Sequence, residues 1–99
     1  MRIYISGPMS GIRDHNFPAF HAEAKRLREL GYDVVNPAEL HDGETHHPHC
    51  FYMRTDIALV TTVEAIVLLD GWEKSLGACA EMHVAMVCGV GVFHEGENP

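Results

Sequence analysis

Hydrophobic and polar positions change their period several times along the chain, and each change marks an element. From Arg2 to Ser6, Ile3 and Ile5 alternate with their neighbours before Gly7-Pro8, which predicts a short strand ended by a turn. Asn16 stands where a helix cap would, Pro18 falls in the first turn, and Phe20, Ala24, Leu27 and Leu30 recur at three- and four-residue intervals up to Gly31. This pattern predicts a helix. Tyr32 to Val35, closed by Asn36-Pro37, is a short β-branched run that predicts a second strand. Ala38 to about His49 is polar, without a usable period, and reads as a loop. Phe51, Met53, Ile57, Val60 and Val63 fit one helical face, although Thr61-Thr62-Val63 has low helix propensity. Glu64 to Leu69 is nearly continuously apolar and predicts a strand covered on both faces. Ser75 is placed to cap a last helix that contains Glu81 and stops at Gly89; Val90 to Phe93 then reads as a strand and His94 to Pro99 as a polar tail.

Strands and helices thus alternate, which predicts the α/β class: a small Rossmann-like, flavodoxin-like parallel sheet of four to five strands with helices on both faces. The length, 99 residues, suits one domain over 1–99, with no internal repeat and no low-complexity tract. Sheets of this kind bind ligands beyond the carboxyl ends of their strands. The Gly7 to Ile12 turn, the Asp70 to Lys74 turn and the start of the last helix are expected on that edge.

Composition narrows the partners. Fourteen acids against seven bases give a net charge of −7, and only Lys25, Arg26 and Arg28 cluster, so a polymeric nucleic acid is not expected whereas a single nucleotide remains compatible. No apolar run approaches the roughly 20 residues that cross a bilayer, and MRIYISGPM is broken too early to serve as an export signal, so no membrane partner and a cytoplasmic location are expected. Three cysteines, Cys50, Cys79 and Cys88, are read as reduced. His41, His46, His47 and His49, with Cys50, match no closed zinc spacing, so no metal is expected there.

Three places can carry chemistry. The turn Ser6-Gly7-Pro8-Met9-Ser10-Gly11 is small enough for backbone N–H groups to approach a sugar or phosphate, or is simply a tight turn. The stretch from Asp70 to Glu81 leads from a strand into a helix whose N-terminus at Ser75 favours an anion or a sugar hydroxyl. Glu81 follows among Gly77, Ala78, Ala80, Val84 and Ala85, and is either a solvated outer-face residue or a functional one. Asp56 borders the core side of its helix and serves either chemistry or an ion pair with Arg54 or a neighbouring lysine. Trp72 reads as a packing or subunit-contact residue, with base stacking as the alternative.

YISGPM after the start, R-T-D-I in the middle and W-E-K-S-L-G-A-C-A-E near the end together resemble the nucleoside 2-deoxyribosyltransferase-like superfamily, over residues 1 to 93. More narrowly they resemble its short phage and prophage members and its 2′-deoxynucleoside 5′-phosphate N-hydrolases. The resemblance implies Glu81 as the nucleophile, Asp56 beside it at the sugar or as proton donor to the base, and Tyr4 lining the same pocket. It implies that Gly7, Pro8, Met9, Ser10 and Gly11 wrap the sugar or its 5′ end, and Asn36, Ser75 and Gly77 complete the expected substrate-binding set. Ser75 stands six residues before the nucleophile, where the resembling hydrolases place a serine near the 5′-phosphate. Glu64 replaces an aspartate common in relatives, at what reads as a structural position. The run beyond Phe93 is short compared with hydrolases that reach a neighbouring subunit's phosphate from there, so phosphate selectivity stays open.

The expected activity is therefore cleavage of an N-glycosidic bond in a 2′-deoxynucleoside or its 5′-monophosphate, by hydrolysis or transfer, without a cofactor, in a homodimer or larger homo-oligomer. The competing expectation is a module of the same fold that sequesters a nucleotide without turnover. A purely structural protein would instead leave Glu81 and Asp56 apart and in solvent.

Overall fold

The computed structural model describes residues 1–43 and 47–99, and of residues 41–43 the backbone alone. Four strands, β1 (Arg2–Ser6), β2 (Asp33–Val35), β3 (Ala65–Leu68) and β4 (Gly91–His94), form one parallel sheet in the order β2-β1-β3-β4. Between them run α1 (Phe17–Glu29), α2 (His49–Val60) and α3 (Leu76–Val87). This is the small Rossmann-like α/β sheet that the alternating pattern predicts.

The sheet has two cores because successive side chains of a strand face opposite ways. Ile3 and Ile5 of β1 pack with Val67 of β3 against Phe20, Ala24 and Leu27 of α1. Tyr4, Ile66 and Leu68 face the other layer, where Val60 of α2 and Ala85 of α3 close over them. All four residues of β3 are buried, as a central strand covered on both faces requires.

Several boundaries differ from the sequence expectation. Asn16 precedes α1 but makes no side-chain cap: its φ is 61°, and its Nδ2 donates instead to the Pro8 carbonyl at 2.9 Å. Asp14 and His15, each with φ 53°, share this left-handed conformation. The segment expected to be loop contains a 3-10 helix over Pro37–Gly43, and α2 begins at His49. Val63 lies beyond α2, which stops at Val60, and is buried in the layer below. The last strand is one residue later than expected, at Gly91–His94. Among the described residues no helix is long and apolar enough to cross a membrane.

Candidate active site

The chain runs from β1 outward to β2 and then crosses back to β3, so the order reverses between β1 and β3. Loops leaving adjacent strands in opposite directions open a crevice at such a point. A cavity of about 330 Å³ lies there, lined by residues from the β1 turn, α2 and the start of α3. Its volume falls in the range of small-molecule sites.

Glu81 forms part of the wall, on the second turn of α3, and is only 5 % exposed. Its two carboxyl oxygens are held by β1: the Tyr4 hydroxyl donates to Oε2 at 2.6 Å and the Ser6 hydroxyl to Oε1 at 2.6 Å. Alternation explains the pairing, since residues two apart on a strand face the same layer. Burial pushes the Glu81 carboxyl up to about 7; the Ser6 and Tyr4 hydroxyls oppose that rise, and the negative charge of Asp56 adds to it. Burial, followed by the charges of Glu81 and Asp56, raises the Tyr4 hydroxyl well above its ordinary value, so it stays an O–H donor at working pH.

Asp56 lines the same cavity from α2, half-buried, so the two carboxyl groups implicated by sequence share one space. Tyr4, Gly7, Met9, Ser10, Gly11, Ser75 and Gly77 line it too. Pro8 does not; it lies on an adjoining concavity of about 210 Å³ that shares Met9, Ser10, Ser75 and Gly77 with the first. Asn36 is also absent from the lining. Its side chain is 2 % exposed, its Oδ1 accepts the Ala38 N–H at 3.0 Å, and its Nδ2 meets His21 Nδ1 at 3.2 Å. An asparagine closing the turn after β2 in this way has an architectural task.

Two glycines expected to touch ligand also have packing reasons. A Cβ on Gly7 would lie 2.8 Å from Leu69 Cβ, and one on Gly77 would lie 3.1 Å from both His49 Nε2 and Met53 Sδ. Gly7 thereby lets the β1 turn lie against the end of β3, and Gly77 lets α2 approach α3. Ser75 caps α3 by accepting the Ala78 N–H at 3.1 Å, which leaves its own hydroxyl proton able to donate.

Sequence reasoning placed Ser6 in the candidate turn for its backbone alone and missed its hydroxyl, which meets Glu81 beside that of Tyr4. It also missed His15, Tyr52 and Met53, which line the cavity beside His47 and His49. His15 arrives through the left-handed turn, and its ring lies 5.8 Å from that of Phe17. Of the histidines considered for a metal, His46 and the side chain of His41 lie outside what is described, and no metal-holding group is found among the described residues. Trp72 packs partly buried against the α2–α3 layer and does not line the cavity.

The chain matches over residues 1–94 the family model described as "Domain of unknown function (DUF4406)", and it belongs to that family. No curated protein matches it. Among solved structures it is similar to the 2-deoxyribosyltransferase of the psychrotolerant bacterium Bacillus psychrosaccharolyticus, with a TM-score of 0.74 and 18 % identity over 100 % of this chain and 77 % of that one. At that identity the likeness defines the fold, a deoxyribosyltransferase-like one.

Proposed function

We propose that this protein breaks the N-glycosidic bond of a 2′-deoxynucleoside or its 5′-monophosphate, with Glu81 as nucleophile and Asp56 as proton donor. The observation that carries the reading is a buried glutamate, held at both oxygens, in the wall of a nucleoside-sized cavity that it shares with a second acid. A structural protein would have no cause to bury an acid in a cavity wall, since burial without a charge partner is costly. The similar fold of a 2-deoxyribosyltransferase supports the substrate class.

The first step starts from the state in which the two neighbouring acids share one proton and Asp56 holds it: the C1′–N bond breaks, its electron pair goes to the base nitrogen, and the base takes that proton from the Asp56 carboxyl. The oxocarbenium-like centre at C1′ is captured by a Glu81 oxygen as a glycosyl ester. Water, or the nitrogen of a second base, then attacks C1′; the ester C1′–O bond breaks with its pair returning to Glu81, and the incoming proton passes to Asp56. No residue here requires a metal or organic cofactor for that sequence.

Ser75 favours the monophosphate. Its hydroxyl and the first N–H groups of α3 sit where a 5′-phosphate would find donors, and a carboxylate there would repel it. A homo-oligomer belongs to the same reading: Leu76, Ala80 and Val87 recur at helical spacing along α3 with His83 among them and are all exposed, a largely apolar stripe suited to a second copy.

The test is release of free base from a panel of 2′-deoxynucleosides and their 5′-monophosphates. Release by the native protein is expected, with a loss on the order of a thousandfold or more in Glu81→Ala. No release, or release undiminished in that variant, rejects the assignment; a tightly bound ligand recovered intact marks a sequestering module instead.

A further inference from the structure

Ser6 is 1 % exposed at the carboxyl end of β1, where Ile5 packs toward α1 and Gly7 lies against Leu69. Nothing about packing calls for a hydroxyl at this place; an alanine would fill it. The hydroxyl nonetheless donates at 2.6 Å to Glu81 Oε1, while Tyr4 serves the other oxygen. Tyr4 and Ser6 are two residues apart on one strand, a rise of roughly 6.6 Å, so a single carboxyl group entering from α3 is gripped on both sides.

One hydroxyl alone would leave the carboxyl free to turn about its last bond, a torsion with broad wells. Two donors on a rigid strand fix its plane. We infer that Ser6 is a positioning residue, which sets the plane of the Glu81 carboxyl and stabilises its negative charge so that one lobe is presented to the cavity. The inference rests on the proposed role of Glu81 and adds to it the device that makes a buried glutamate usable.

Among the described residues the groups that act on the Glu81 carboxyl come from two elements, Tyr4 and Ser6 from β1 and Asp56 from α2. His15, His47, His49 and Tyr52 stand elsewhere around the cavity, and among the described residues lining it there is no lysine or arginine. Without a cation in the lining, the two hydroxyls carry the stabilisation that burial and Asp56 oppose. In the second half of the reaction the same bonds receive the charge that returns to Glu81 when its ester bond breaks, which makes it a better leaving group.

The experiment follows the Glu81 carboxyl by carbon NMR in protein labelled at glutamate, titrated without substrate, in native, Ser6→Ala and Ser6→Thr proteins. Loss of a hydrogen bond to a charged group is expected to move the titration midpoint up by about one pH unit in Ser6→Ala. Ser6→Thr, which keeps the hydroxyl, returns it towards the native value, and the acid limb of kcat/KM moves in parallel. Should Ser6→Ala not fold, Ser6→Cys, similar in shape and a weaker donor, is expected to show the upward movement. An unmoved midpoint in a folded variant lacking the hydroxyl overturns the inference. Because the titration needs no substrate, a moved midpoint in a protein that releases no base upholds Ser6 and defeats the proposed reaction; base release with an unmoved midpoint does the reverse.

Discussion

Glu81 sits in its cavity wall at the expense of stability. Its carboxyl titrates at about 7 in the folded protein and, like any solvated glutamate, near 4.5 when unfolded. Between those two values the folded state binds more protons than the unfolded one, so stability falls as pH rises through that window. The displacement corresponds to roughly 3 kcal/mol. Glu23 and Glu39 act in the opposite sense and in another window. Arg26 and Arg28 hold their carboxyl groups below the ordinary range, so the stability they contribute is present above about 4.5 and lost as pH falls further. The expected outcome is that denaturant unfolding of the native protein shows stability declining from pH 5 to pH 8, and that Glu81→Gln abolishes most of that decline. The amide can accept from one hydroxyl and donate to the other, so the substitution removes the charge and little else. An equal decline in both proteins would contradict the burial of a titrating carboxyl. At this scale motif resemblance singled out Glu81, Asp56 and Tyr4, which the fold brings to one cavity, whereas the Ser6 hydroxyl had no signal of its own, because it meets Glu81 only once a helix residue 75 positions away is laid across its strand.

Elements place these residues through close approaches that only glycine permits. A methyl group on Gly7 would press on Leu69 Cβ, an atom fixed to the backbone of the segment after β3, so the β1 turn must move. Gly7→Ala is therefore expected to destabilise by about 1–3 kcal/mol and to disturb the cavity, read as a lower thermal midpoint together with weaker ligand binding. An unchanged midpoint would show that the turn yields freely. The turn's other end is held by Asn16 on the Pro8 carbonyl, through three successive left-handed residues that each cost on the order of 1–2 kcal/mol outside glycine. That strain explains why the capping expectation at Asn16 failed: Asn is a frequent cap, and also the residue that best tolerates a left-handed backbone, and sequence alone does not separate the two uses. The start of α2 at His49 stands at the edge of the expected loop, although its first turn gives little sign of a helix. His49, Cys50 and Arg54 carry little periodic signal, and the helix is fixed by packing of Val60 and by the Gly77 approach to His49 and Met53. The long, regular pattern of α1 needed no such tertiary help.

The whole molecule was the most legible scale. Alternation of short apolar runs with helical periods is enough to fix a parallel sheet covered on both faces, and ligand sites in such sheets follow from the strand order. The cavity's location at the β1–β3 reversal is thus a property of topology, while the side chains proposed to act in it come from β1, α2 and α3. Membership of a family of unknown function and a fold shared at 18 % identity with a deoxyribosyltransferase leave the chemistry to be decided by these residues. The most direct measurement is peptide mass spectrometry of the protein quenched during reaction with a 2′-deoxynucleoside 5′-monophosphate. The account predicts a deoxyribosyl phosphate adduct on the peptide containing Glu81, absent in Glu81→Gln. Free base released with the adduct on another residue, or no base and no adduct with any member of the substrate panel, would contradict it.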